Sequence, residues 1–359
     1  MPLVANTSLP AFNRLRQEGE TVLDPDRAQH QDIREIHIGI LNMMPDAALE
    51  ATERQFLRII GESNLIAQFY VHPFTLAELP RGDKARAHID SYYETFDSVK
   101  KEGLDALIIT GANVTQPELD KEPFWEPLIK VIDWAYENVP STLCSCLATH
   151  AVMQFRYNQK RQRLPQKCWG VFAHEVVDRI HPLTKDVNTR FDVPHSRFNA
   201  VTRQQFEDAG LHVLVESPIA GVHLAVSEDL FRIIYLQGHP EYDINSLLKE
   251  YKREVNLYIA GKRQDYPPFP ENYFSIQVQA ILREFQDQVI NALSAGNPAP
   301  EFPETLITER LHNTWHDTGE AIINNWVGHI YQITNSDRSK CFMDGINPDD
   351  PLGLRDRYY

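Results

Sequence analysis

Ser141-Thr-Leu-Cys-Ser-Cys146-Leu-Ala-Thr-His-Ala-Val-Met-Gln-Phe-Arg-Tyr157 is the stretch that decides the fold. Residues 141–146 read as a short buried strand and residues 148–157 as a helix, with no loop between them. Cys146 stands at the junction. Upstream, Glu35-Ile-His-Ile-Gly-Ile-Leu-Asn-Met-Met reads as a buried strand that stops at Pro45, and residues 48–60 have helical spacing with Phe56, Leu57 and Ile60 apolar. Asp105-Ala-Leu-Ile-Ile-Thr-Gly-Ala reads as another strand and residues 125–136 as another helix. Strands alternating with helices imply right-handed crossovers and a mostly parallel sheet covered on both faces. The expected fold class is α/β.

Downstream of residue 170 the pattern turns β-rich, at 170–177, 212–215, 222–226 and 231–237, either extending the sheet or forming antiparallel ribbons at its edge. Asp243 is expected to cap a helix running to about residue 259, with Leu247, Leu248, Tyr251 and Val255 on its apolar face. Tyr266-Pro-Pro-Phe-Pro and Gly296-Asn-Pro-Ala-Pro break regular structure, leaving helices at about 275–294 and 304–327. The expected organisation is an extension over 1–34 packed on the core, a catalytic α/β domain over 35–262, and a helical extension over 263–359 in the same unit.

A chain of 359 residues with 42% hydrophobic and 24% charged residues can bury a sizeable core, which excludes a disordered protein. The net charge of −15 argues against nonspecific binding to nucleic acid or to an anionic membrane, so an anionic substrate needs a locally basic pocket. No apolar run approaches a membrane span of ~20 residues, and the first residues lack the layout of a signal peptide, so the expected compartment is the cytoplasm. Cysteines at 144, 146, 168 and 341 are too few and too irregular for a disulfide framework. Cys144 and Cys168 read as structural thiols, and no metal site is expected.

The amino terminus of a helix favours a thiolate, and the amide after the nucleophile can face an oxyanion. Alone, Cys146 would read as a small buried hydrophobe. A second stretch changes that balance: Phe231-Arg-Ile-Ile-Tyr-Leu-Gln-Gly-His239-Pro-Glu241 is a strand that ends in an imidazole and a carboxylate two residues apart. A thiol nucleophile needs a base, and the base needs a third group to hold its tautomer. Cys146, His239 and Glu241 supply those roles.

Around these residues the chain resembles the homoserine O-succinyltransferase family, within the class I glutamine amidotransferase-like superfamily. The resemblance rests on Leu-Pro-Ala-Phe-Asn-Arg-Leu-Arg near residue 10, Ile-Leu-Asn-Met-Met-Pro at 40–45, Gln-Phe-Leu-Arg at 55–58 and Thr-Gly-Ala at 110–112. It continues through Ser-Thr-Leu-x-x-Cys at 141–146, Gly-Val-Phe-x-His at 170–174, Pro-His-Ser-Arg at 194–197, Gly-His-Pro-Glu-Tyr-Asp at 238–243, Asn-Trp at 325–326 and Tyr-Gln-Ile-Thr at 331–334. It implies a flavodoxin-like fold and a ping-pong transfer from an acyl-coenzyme A to the hydroxyl of L-homoserine, the committing step toward methionine. It also implies that Lys167, Ser196 and Arg253 contact substrate. The backbone amides of Leu147 and of the loop around Met43 would form the oxyanion hole. No cofactor is implied beyond acyl-CoA as co-substrate, and a homodimer is left open.

The chain departs from the family pattern at three places. Leu147-Ala148 follows the nucleophile where the family has Trp-Ala, Thr-Gly-Ala-Asn113 replaces Thr-Gly-Ala-Pro, and Asp46-Ala47 replaces a pair of lysines. Acyl choice in the family is associated with the position of Thr115, where glycine goes with succinyl and glutamate with acetyl. Threonine does not repel a distal carboxylate, although it takes space that glycine leaves open. The expected donor is succinyl-CoA, with acetyl-CoA as the alternative. Serine remains an alternative acceptor, since one methylene is worth only about 1–3 kcal/mol of discrimination. A glutamine amidohydrolase would flank its nucleophile with glycines, which are missing here. A catalytically silent binding protein is disfavoured by retention of all three triad residue types.

Overall fold

Ala-Leu-Ile-Ile at 106–109 and Ile-Ile-Tyr-Leu at 233–236 are buried at every position, which strands tolerate only where both faces of a sheet are covered. They lie inside an eleven-stranded sheet, seen in a computed structural model that describes residues 3–29, 33–64 and 67–358. The strands are β1 (Leu3–Val4), β2 (Val22–Leu23), β3 (Glu35–Leu41), β4 (Gln68–Phe74), β5 (Ala106–Ile109) and β6 (Ser141–Ser145). They are followed by β7 (Gln162–Val176), β8 (Arg190–Ala200), β9 (His212–Ser217), β10 (Gly221–Val226) and β11 (Ile233–Leu236). Their order across the sheet is β2-β1-β4-β3-β5-β6-β11-β10-β9-β7-β8. Pairing is parallel from β2 to β11 and antiparallel from β11 to β8. The α/β expectation holds, with the β-rich half extending the parallel sheet.

Alternation along the strands divides the core. Ile36, Ile38 and Ile40 point to one face with the helices Pro10–Gln17, Leu49–Ser63 and His316–Ile333. Leu107, Ile109 and Tyr235 point to the other, against Trp125–Asn138 and Leu147–Tyr157. A third cluster joins the helices Ser246–Ile259 and Ile276–Ser294 to Trp169 and Val171 of β7. The strand that carries Cys146 is anchored at its start by the far end of the sequence. There the fully buried Trp326 donates its indole N–H to Ser141 Oγ at 2.9 Å, and Ser141 donates to the Phe231 carbonyl at 2.7 Å.

Some elements differ from the sequence reading. β4 and β8 were not anticipated, because each contains a proline, Pro73 and Pro194. Both prolines fit: β8 is an edge strand, and the short β1 pairs with β4 only at Phe69, so nothing needs the missing N–H of Pro73 on that side. The helix expected over 304–327 is two, Glu304–Thr308 and His316–Ile333, because Asn313 Oδ1 accepts from the amides of Trp315 and His316 and turns the chain between them. Asp243 does not cap the helix Ser246–Ile259 with its side chain; its carboxylate is taken by Arg54 at 3.2 Å and by Arg58.

Trp326→Ala removes the largest fully buried side chain and leaves Ser141 short of a donor. It should cost about 3–5 kcal/mol of unfolding free energy in urea titrations. A cost below ~1 kcal/mol would show that the last long helix is not part of the cooperative unit.

Candidate active site

Cys146 adopts φ 52° and ψ −103°, a strained backbone for a non-glycine residue, between the end of β6 and the helix Leu147–Tyr157. Three hydrogen bonds hold it there. The Cys146 amide donates to the Leu236 carbonyl at 2.8 Å, and Thr149 Oγ1 shares its one proton between the carbonyls of Cys144 at 2.8 Å and Leu236 at 2.9 Å. The junction thereby lifts the side chain out of the sheet, and Cys146 is half-buried while Cys144 is fully buried. Burial pushes the Cys144 thiol far above the ordinary range. The burial of Cys168 and Cys341 raises them too, Cys341 to about 11.

β11 runs parallel beside β6 with Leu236 opposite Ser145, so the segment that follows it emerges next to Cys146. Gly238 passes so close to its neighbours that an added Cβ would lie 2.4 Å from Val193 Cγ1 and 2.9 Å from the His195 ring. The His239 amide donates to the Pro194 carbonyl at 2.9 Å. The ring pairs through Nδ1 with Glu241 Oε1 at 2.9 Å and is stacked on Tyr242 at 4.3 Å. Burial of this imidazole lowers its pKa, but the Glu241 carboxylate and hydrogen bonds to Cys146 and Glu241 outweigh it, and the pKa is raised to about 10. Cys146, His239 and Glu241 are together, with the imidazole between a thiol and a carboxylate.

Tyr242 leads from this triad to a second centre. Its hydroxyl donates to Glu250 Oε1 at 3.1 Å, while Glu250 Oε2 accepts from Ser196 Oγ at 2.6 Å and from Lys167 Nζ at 3.3 Å. Lys167 and Ser196 come from the neighbouring strands β7 and β8, and the Lys167 ammonium also lies 4.3 Å from the Trp169 ring centroid. Burial lowers the Lys167 pKa despite the carboxylate. Glu250 was not singled out by the sequence; its place one residue before Tyr251, off the apolar face of its helix, was the available signal. Arg253 stands one turn further on. Its side chain is exposed and pairs with Glu254 at 3.2 Å, so it flanks the cluster without joining it.

The expected oxyanion donors fare differently. Leu147 opens its helix, so its amide has no carbonyl one turn back to bond. The Met43 amide, expected to face the oxyanion, donates to Thr110 Oγ1 at 2.9 Å, and the Met44 amide donates to Asn42 Oδ1 at 3.1 Å. The backbone that lies against Cys146 is Gly111, where an added Cβ would stand 3.8 Å from Cys146 Cβ. Thr115 follows in the same loop, exposed, its amide and hydroxyl bound to the buried Glu122 carboxylate at 2.5 and 3.2 Å. Away from the site, His72, Glu94 and Glu102 offer ligand atoms within 4.8 Å of one another. His72 is already engaged there by His37 and Glu94.

The profile of the homoserine O-succinyltransferase family matches residues 2–336. The chain belongs to this family. It is 69% identical to a homoserine O-succinyltransferase of Nitrosococcus oceani, over 99% of each chain, and 68% identical to that of Allochromatium vinosum over 99% of each. Among solved structures, a glutamine amido transferase from Methylobacillus flagellatus is 11% identical, with a TM-score of 0.45 over 83% of this chain and 95% of that one. Among the described residues, no helix is long and apolar enough to cross a membrane.

The proton held by His239 links stability to pH. The ordinary histidine value is 6.5 and the folded one is raised to about 10, so its stabilising effect is complete below pH 6.5 and is lost as the pH rises through about 10. The stability advantage of the wild type over Glu241→Gln should therefore shrink across that window, as read from urea titrations at both ends. An advantage that does not change with pH would remove Glu241 as the source of the raised value.

Proposed function

We propose that this chain is an acyltransferase that moves succinyl from succinyl-CoA to the side-chain hydroxyl of L-homoserine through a thioester on Cys146, a step of methionine biosynthesis in the cytoplasm. The observation that carries the reading is the Cys146–His239–Glu241 alignment in a chain of this family. Relatives at 60–69% identity bear the same succinyltransferase name, which supports succinyl as the donor group.

In the first half-reaction Cys146 Sγ, its proton held by His239, attacks the thioester carbonyl, the oxyanion faces the Leu147 amide, and collapse breaks the bond to coenzyme A. The departing thiolate takes the proton from the His239 imidazolium. In the second, the neutral imidazole accepts the homoserine hydroxyl proton, the oxygen attacks the Cys146 thioester, and collapse returns the proton to the cysteine. Glu241 does not take a proton; it holds Nδ1–H and balances the imidazolium. Glu250 is the carboxylate placed to receive the acceptor's ammonium. Ser196 and Lys167 steady Glu250, and Arg253 at its flank can fork onto the acceptor's carboxylate.

Succinyl-CoA without homoserine should leave a succinyl mass on the peptide containing Cys146, and glutamine should leave none. Cys146→Ala should abolish adduct and turnover, while Cys144→Ala keeps both. An adduct on Cys144 instead would overturn the assignment of the nucleophile.

Donor choice is tested at Thr115. Because the residue is exposed, solvent screens a new charge there, and Thr115→Glu should lower the succinyl-CoA to acetyl-CoA ratio of kcat/KM by about tenfold. The added carboxylate also faces Glu122, so Thr115→Gln serves as the control for loop disturbance. If both variants shift the ratio equally, charge at this position does not read the acyl group.

A further inference from the structure

The helix Ser246–Ile259 carries Glu250 on the side toward Tyr242 and, beginning beside it, a row of cations. Lys249, Lys252 and Arg253 lie at helical spacing along one stripe, and Lys262 joins them just past the helix end. They line a groove of about 440 Å³. In a chain of net charge −15 such a concentration of positive charge is out of keeping with the rest of the sequence. Only Lys252 has its charge engaged from across the groove, by Glu304 at 2.5 Å, and Arg253 is paired with its neighbour Glu254. Among the described residues, Lys249 and Lys262 form no ion pair. Leu257 and Ala260 supply an apolar wall between the charges.

We propose that this groove binds the phosphorylated adenosine half of coenzyme A, with Lys249 and Lys262 facing its phosphates and Leu257 and Ala260 its adenine. The proposal rests on the acyl-CoA reading above and extends it from the reacting thioester to the far end of the donor. Its geometric basis is continuity with the site. Arg253 is one turn from Glu250, and Glu250 is bonded to the tyrosine that stacks on His239. From Glu250 to Asn256 the helix rises ~9 Å, within the span of the pantetheine arm that separates thioester from phosphates. The charges of the donor other than its succinyl carboxylate are on those phosphates, and a mixed cationic and apolar groove matches a phosphorylated nucleoside rather than an amino acid.

The test compares donors with and without that half. In the double variant Lys249→Ala with Lys262→Ala, KM for succinyl-CoA should rise about 5–30-fold, the effect of two partly screened contacts. KM and kcat for the N-acetylcysteamine thioester of succinate should stay as in the wild type, which also reports an intact fold. The rise should diminish at high ionic strength. An unchanged KM for succinyl-CoA, or an equal change for both donors, overturns the proposal. Should the variant fold poorly, Lys249→Gln and Lys262→Gln are taken singly by the same comparison. If the wild type transfers no succinyl at all, the functional reading fails by itself. Calorimetric binding of desulfo-coenzyme A to wild type and double variant then decides the groove.

Discussion

The hydrogen bond from the Cys146 amide to the Leu236 carbonyl connects the two strands on which the site depends. A non-glycine residue at φ 52° and ψ −103° costs on the order of 1–3 kcal/mol, and the conformation persists only where its surroundings over-determine it. Here the surroundings are the carbonyl of one strand, the Thr149 hydroxyl shared by two strands, and behind them a helix that is buried from Leu147 to Met153. The same bond brings Cys146 near His239, because His239 is only three residues beyond Leu236. A nucleophile and a base at adjacent strand ends require those strands to be parallel and to finish at one edge. Parallel neighbours in turn require long crossovers, and the layered sheet follows from that requirement.

The grouping of Cys146, His239 and Glu241 was legible because each member is announced locally. Strand-to-helix continuity without a loop exposes Cys146, and a Gly-His-Pro-Glu run at a strand end exposes His239 and Glu241. The second centre was not, since nothing near Glu250 in sequence says that Lys167 from β7, Ser196 from β8 and Tyr242 will meet there. Convergence of that kind is tertiary. The partner of the Met43 amide was hidden for a related reason, in that the hydroxyl that takes it belongs to Thr110, 67 residues away. Asp243 looked like a helix cap by residue type, but two arginines from the helix Leu49–Ser63 reach it first. The prolines of β4 and β8 concealed strands because a sequence does not show which side of a strand will have a neighbour.

The placement of a proton on His239 also depends on residues outside the Cys146–His239–Glu241 group. His174, His195 and His223 pack at ring separations of 5.1 to 6.1 Å beside the Gly238 turn. Burial above all keeps His195 and His223 well below the ordinary histidine range, followed for His195 by the Arg197 guanidinium and then the neighbouring imidazoles, and for His223 by His174 and His239 and then Arg197, while burial lowers His174 to about 4. His239 shares the burial but not the outcome. It alone in this group has a carboxylate on Nδ1 and a thiol beyond, and those partners reverse the direction of the shift. Neutral neighbours matter to that result, since a second imidazolium against the Gly238 turn would oppose the charge on His239 through a medium that screens poorly. The buried histidines thus favour the charge on His239 by remaining uncharged, and Gly238 keeps His195 in place by lacking the Cβ that would push it away.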